Sequence, residues 1–188
     1  MTSDATAAGM VLAAGAGTRY GMPKVLAENG IWLQKAVAAL AGGGCDEVIV
    51  VLGAAGPDRV DLPAPARAVH ARGWADGLSA SLRAGLEALT VDSGAVFAVA
   101  HPVDTPDVGA AVVSRVLQAA RASDSGLARA VYLGRPGHPV VLARRHWPAL
   151  LGELRGDVGA GPFLRARADV IAVECGDLAT GADIDTPA

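Results

Sequence analysis

A glycine loop leaving a continuous apolar run constrains this chain more than any other stretch. Residues 10–26 read Met-Val-Leu-Ala-Ala-Gly-Ala-Gly-Thr-Arg-Tyr-Gly-Met-Pro-Lys-Val-Leu. Met10 to Ala14 show no polar alternation, which predicts a strand covered on both faces. Gly15, Gly17 and Gly21 then remove Cβ atoms where the backbone must turn tightly and approach something closely. Successive N–H groups in such a loop can cradle phosphate oxygens. Thr18 lies within the loop, and Arg19 and Lys24 bring two cations to it.

Two other phosphate loops are excluded by spacing. A dinucleotide fingerprint needs its third glycine three residues after the second, but that position is Tyr20, and no acidic residue follows about 20 residues on to hold a ribose. A P-loop needs Gly-Lys-Ser/Thr opening a helix, whereas Pro23 precedes Lys24 and pushes Met22 out of the helical region.

Hydrophobic runs alternate with helical spacing along the rest of the chain. Trp32, Leu33, Ala36, Val37 and Leu40 predict a helix stopped by Gly42, Gly43 and Gly44; Glu47 to Leu52 predicts a buried strand, and Ala66 to His70 a short one. Asp76 is placed to cap a helix running to about Leu89. Ala95 to Ala100 is another buried run, after which Thr105 and Pro106 fit a helix start, with His101 in a loop hydrogen bond. Ala130 to Leu133 and Val140 to Ala143 either pair as a hairpin or neighbour each other; a helix over Arg144 to Leu154 restarts at Pro148, and Asp169 to Val173 is the last strand. Met1 to Ala7 are expected to fray. This alternation specifies an α/β three-layer sandwich around a mostly parallel sheet.

With 188 residues and 52% hydrophobic content, one domain over 1–188 is expected. A net charge of −3 gives no whole-chain attraction to nucleic acid or an anionic membrane, so a phosphate site must be local. With no signal-like start and no membrane-length apolar run, a soluble, cytoplasmic protein is expected. Cys45 and Cys175 stand apart, as buried small hydrophobes do.

Leu12, Ala13, Ala14, Gly15, Gly17, Arg19, Gly21, Pro23 and Lys24 together resemble the signature of the MobA-like NTP transferases, which include the molybdenum cofactor cytidylyl- and guanylyltransferases. The resemblance implies a Rossmann-like nucleotidyltransferase fold in which Leu12 to Gly15, Gly17 and Thr18 hold the nucleotide and Arg19 and Lys24 neutralise its triphosphate. Trp74-Ala75-Asp76-Gly77-Leu78-Ser79-Ala80-Ser81-Leu82 is similar to a family segment lying over the nucleotide, with Gly77, Ser79 and Ser81 as contacts; Trp74 as core and Ser79 as a capping partner is the alternative. Asp104, in Asp104-Thr105-Pro106, resembles the family's magnesium aspartate, although a turn or cap aspartate is the other reading. Asp183-Ile184-Asp185-Thr186-Pro187 resembles a terminal element that completes the Mg²⁺ site, through Asp185, on a segment expected to be weakly held.

The acceptor side is implied by Gly137-His138-Pro139 and by Leu154-Arg155-Gly156-Asp157-Val158-Gly159-Ala160, which point to His138 and Asp157. His138 either orients a phosphate or supports a loop. The family's arginine is replaced by Gly161, for which Arg165 or Arg167 is a candidate substitute. The implied reaction moves a nucleotidyl group from an NTP to a phosphorylated acceptor such as molybdopterin, releasing pyrophosphate, with Arg19, Lys24 and Asp104 as catalytic groups. Ala14 favours CTP. A sugar-phosphate nucleotidyltransferase, a nucleotide-sugar glycosyltransferase using Asp183 and Asp185, and a non-catalytic nucleotide-binding module are the alternatives.

Overall fold

Seven strands form one sheet in the order β3-β2-β1-β4-β6-β5-β7, with β1 Ala7–Ala13, β2 Glu47–Leu52, β3 Arg67–His70, β4 Phe97–Pro102, β5 Leu127–Tyr132, β6 Arg135–Ala143 and β7 Ile171–Glu174. The protein is described by a computed structural model over residues 6–187. β1 pairs in parallel with β2 and β4, β2 with β3, and β5 with β7; β6 alone runs antiparallel, to both β4 and β5. The sheet is therefore mostly parallel, as the apolar runs predict.

Helices cover both faces. α1 (Ile31–Gly42) and α3 (Ala110–Ala122) pack Leu33, Val37, Leu40, Val113 and Leu117 against one side of β1, β2 and β4. α2 (Leu78–Asp92), α4 (Trp147–Glu153) and α5 (Gly161–Arg165) pack Leu82, Leu86, Trp147, Leu150, Phe163 and Leu164 against the other. Burial of these side chains is the main stabilising contribution, at about 1.5–3 kcal/mol for each large one. Cys45 and Cys175 are both buried, and burial pushes the Cys45 thiol up to about 12, so it packs as an inert hydrophobe. Among the described residues no helix is long and apolar enough to cross a membrane.

Several expected boundaries shift. Ala7 does not fray: it is fully buried as the first residue of β1, where Asp46 accepts its N–H at 2.8 Å. Residues 1–5, which were also expected to fray, lie outside the described residues. Asp76 does not cap α2 but closes a short turn over Trp74–Asp76. The cap comes from far along the chain: Leu78 N–H donates to Asp157 Oδ1 at 3.1 Å and Ser79 N–H to Gly156 O at 3.2 Å. Thr105 does not cap α3 either, because extended Gly109 separates the Thr105–Val108 turn from the helix.

The two later runs do pair as a hairpin, through a two-residue turn at Leu133 and Gly134 with φ of 52° and 76°. Leucine rarely adopts this left-handed conformation. Glu174 on the adjacent β7 offsets the strain, its carboxylate accepting N–H groups from Leu133 at 2.9 Å, Gly134 at 3.1 Å and Gly176 at 2.8 Å. These backbone donors hold the Glu174 carboxyl below its ordinary value of 4.5. Its stabilising contribution is therefore fully present above that value and is lost as the pH falls through the lower folded value. Glu174→Gln is predicted to lower the melting temperature at neutral pH, with the difference from wild type closing in acid. A pH-independent difference would contradict this role.

Candidate functional site

The chain leaves β1 to build β2 and β3 on one side and later places β4 on the other. The carboxyl ends of β1 and β4 thus flank the point where strand order reverses, where open α/β sheets bind ligands. A cavity of about 790 Å³ opens there. It is lined by Leu12, Ala13, Ala14, Gly15, Gly17, Thr18, Arg19 and Lys24 from β1 and its loop, by Gly77 and Ser81 from the start of α2, and by Asp104, His138, Asp157, Asp183 and Asp185.

The loop is fixed by its own backbone. Gly21 N–H donates to Gly17 O at 2.8 Å, and Gly17 sits at φ +63° with the place of a Cβ only 1.8 Å from Met22 O. No side chain fits there without moving the segment that carries Lys24. Gly17→Ala is predicted to weaken nucleotide binding by at least about tenfold while the core-dominated melting transition persists. Unchanged nucleotide affinity would show that the loop shape is not used.

The charges converge on Lys24, whose side chain is only 15% exposed. Its Nζ donates to Asp104 Oδ2 at 2.7 Å and to Asp185 Oδ1 at 2.9 Å, while Arg19 Nη1 lies 2.8 Å from Asp185 Oδ2. Burial works against the Lys24 charge, but the hydrogen bonds to Asp104 and Asp185 outweigh it and raise the ammonium above its ordinary value. The Lys24 hydrogen bond likewise holds Asp185 below the usual carboxylate range.

Asp104, Asp183 and Asp185 each offer a carboxylate oxygen, all within 4.8 Å of one another. An all-oxygen donor set with room for water and phosphate suits a hard divalent cation such as Mg²⁺. The terminal segment is not weakly held. Ile184 N–H donates to Asp104 O at 3.0 Å, and Asp107 Oδ2 accepts from Thr180 N–H at 2.7 Å and Thr180 Oγ1 at 2.6 Å.

Ser79 is the sequence candidate that the cavity leaves out; it lines a neighbouring cleft with Arg72, Arg83 and Arg155. Residues two apart on a helix point about 200° away from each other, so Ser79 and Ser81 cannot both face one ligand. Gly77 (φ +108°) packs where a Cβ would stand 2.7 Å from Gly156 O, which fastens the Asp157 loop to the α2 start.

His138 lines the cavity, its carbonyl accepting from Tyr132 Oη at 2.6 Å. Burial and then the Arg129 charge push its ring down to about 4, so it is neutral at physiological pH. His101 is not in a loop. It belongs to β4, is fully buried, and burial pushes it down to about 3; neither ring nitrogen has a partner among the described residues. Asp183, Tyr20 and Trp74 are cavity residues that sequence reasoning did not select. Asp183 stood in a quoted motif, but Tyr20, its ring tilted against Trp32 with centroids 5.2 Å apart, carried no separate signal.

Known proteins resemble this chain in sequence and in fold. The family model described as the MobA-like NTP transferase domain matches residues 9–170. Nicotine blue oxidoreductase from Paenarthrobacter nicotinovorans is 34% identical over 190 aligned positions, covering 95% of this chain and 91% of that protein. The crystal structure of Rv0371c from Mycobacterium tuberculosis H37Rv superposes with a TM-score of 0.78 at 25% identity, covering 98% of this chain and 95% of that one. That protein has also been solved as a complex with manganese. The Rv0371c homologue from Mycobacterium sp. strain JC1 gives a TM-score of 0.76 at 28% identity, covering 96% and 90%. With the profile spanning most of the sequence and the fold agreeing, the chain belongs to the MobA-like NTP transferase family.

Proposed function

We propose that this protein transfers a nucleotidyl group from a magnesium-bound NTP, CTP favoured, to a phosphorylated small-molecule acceptor, with release of pyrophosphate. The observation that carries this reading is Lys24 bridging Asp104 and Asp185 beneath a glycine loop at the sheet's switch point. An ammonium has three donors, and two are used on the aspartates. The third is left for a phosphate oxygen held by the loop N–H groups, with Arg19 as a second, more exposed cation. Bound at Asp104 and Asp185, with Asp183 beside them, Mg²⁺ would supply charge neutralisation for the phosphates.

The remaining work is alignment. An acceptor phosphate oxygen attacks the α-phosphorus in line, the new O–P bond forms, and the bond to the bridging β-phosphate oxygen breaks with its electron pair leaving on pyrophosphate. No general base is needed, because the attacking phosphate is already ionised at neutral pH. Neutral His138 and Asp157 border the acceptor side. Ala14, small and buried beside the nucleotide loop, supports the CTP preference. The family points to molybdopterin as acceptor, with a sugar phosphate as the rival. A divalent requirement draws support from the manganese complex of Rv0371c.

One observation favours a second reading. The relative at 34% identity is named as an oxidoreductase, which raises hydride transfer from a nucleotide cofactor in the same cavity. Hydride transfer has no use for a carboxylate cluster bridged by a lysine, and the first reading is preferred on that ground. Incubation with Mg²⁺, each NTP and a panel of phosphorylated acceptors, followed by pyrophosphate measurement, tests the first; loss of NADH or NADPH absorbance with a quinonoid dye tests the second. Pyrophosphate release dependent on an acceptor is the expected result. Steady NAD(P)H oxidation without pyrophosphate would reverse the preference.

A further inference from the structure

Beside the start of α2, a second cleft of about 550 Å³ shares no lining residue with the cavity over β1 and β4. Three arginines line it: Arg72 just after β3, Arg83 on α2 and Arg155 just after α4. One backbone oxygen brings two of them together. Leu154 O accepts from Arg155 Nη1 at 2.7 Å and from Arg83 Nη2 at 3.3 Å, and Arg83 Nη2 also donates to Leu151 O at 2.8 Å. The Arg72 side chain has neither a hydrogen bond nor an ion pair among the described residues. Ser79 lines the same cleft; it is only 7% exposed, and its hydroxyl has no hydrogen-bond partner among the described residues.

The carboxylates of the cleft do not match this charge. Glu87 makes only a long 3.8 Å pair with Arg83 Nη1, and Asp76 pairs with no cation among the described residues. Guanidiniums that meet on one carbonyl repel, and a shared anion turns that repulsion into attraction. A carboxylate is satisfied by a single guanidinium fork, whereas a phosphate has oxygens enough to divide between two arginines and a hydroxyl. The cleft is larger than a phosphate needs and has the size of a small-molecule site, which leaves room for an organic remainder. It is also preformed, because Gly156 O accepts the Ser79 N–H at 3.2 Å and so ties the segment carrying Arg155 to α2.

We propose that this cleft is a second ligand site, which takes the phosphate of a small phosphomonoester between Arg83 and Arg155, with the Ser79 hydroxyl and Arg72 as further donors. The site stands whatever reaction the larger cavity performs.

Glycerol phosphate and inorganic phosphate, titrated at constant ionic strength and followed by amide NMR, test it, because resonances of the cleft and of the glycine loop report the two places separately. The amides of Arg72, Ser79 and Arg155 are expected to shift along one saturating curve with each probe, the organic phosphate binding at least as tightly as the free one, while sodium acetate does not saturate them. Arg155→Met is expected to weaken binding in the cleft by about tenfold, the loss of one charge-assisted contact, and Ser79→Ala by about threefold or more, with the response of Gly15 and Gly17 unchanged. Arg83 is kept, since it also holds the Leu151 and Leu154 carbonyls. Arg155 is exposed, so its variant remains informative if Ser79→Ala does not fold. No saturation of the cleft amides in the wild type, equal cleft affinity in wild type and Arg155→Met, weaker binding of glycerol phosphate than of inorganic phosphate, or saturation by acetate would each overturn the proposal.

Discussion

Lys24→Met is expected to cut nucleotidyl transfer by about 10³-fold, the cost of removing a positioned charge from a developing phosphate anion in a sheltered site. Lys24 is mostly buried and its ammonium contacts both Asp104 and Asp185. Methionine preserves the stem and removes the charge, leaving the two carboxylates to repel. The variant is therefore also expected to melt lower than wild type in the absence of divalent cations, and to gain more from added Mg²⁺, because the cation then stands where the ammonium stood. Lys24→Arg is not expected to restore the rate, since a planar fork cannot serve two carboxylates and a phosphate from one point. Wild-type turnover in Lys24→Met with an intact melting profile would remove Lys24 from the mechanism.

Asp104→Asn carries the second large effect, about 10²–10³-fold on turnover, together with a loss of divalent affinity readable by Mn²⁺ electron paramagnetic resonance. The substitution is isosteric and removes one of three carboxylates whose oxygens lie within 4.8 Å of one another. It also removes the 2.7 Å ion pair with Lys24. What it leaves is the Asp104 carbonyl, which accepts the Ile184 N–H, so the segment carrying Asp183 and Asp185 stays in place. The loss is thus expected in metal binding and rate, with little change in fold. Unaltered Mn²⁺ binding would mean that Asp104 is a turn residue and no ligand.

What the sequence disclosed and what it withheld follow from the range of the interactions involved. β1, β2 and β4 were legible because strands buried on both faces are written as continuous apolar runs. Asp104 drew notice because it sits just past such a run, where a parallel sheet opens its crevice, and Lys24 because a Pro-Lys pair closes the glycine loop; the fold brings the two within 2.7 Å. The start of α2 was misplaced because its cap, Asp157, lies far along the chain and only the fold brings it to Leu78. Ser79 was grouped with Ser81 from the segment's resemblance to the family, although on a helix the two point about 200° apart. The terminal aspartates were expected to be loose because the hydrogen bonds that hold them, to the Asp104 carbonyl and the Asp107 carboxylate, are tertiary. Leu133 in a left-handed turn was unreadable for the same reason, since Glu174 of another strand makes it tenable.

The central claim is that the cavity over β1 and β4 takes a metal–NTP through Lys24 and the aspartates. Its most direct test is the thermal shift of the wild-type protein with CTP, GTP, UTP and ATP, each with and without Mg²⁺, beside Lys24→Met, because a ligand that binds only the folded state raises its apparent stability. The account predicts that, over Mg²⁺ alone, a triphosphate adds a rise that needs Mg²⁺, is largest with CTP and is lost in Lys24→Met. No rise with any triphosphate, or an equal rise without Mg²⁺ and in the variant, would contradict it.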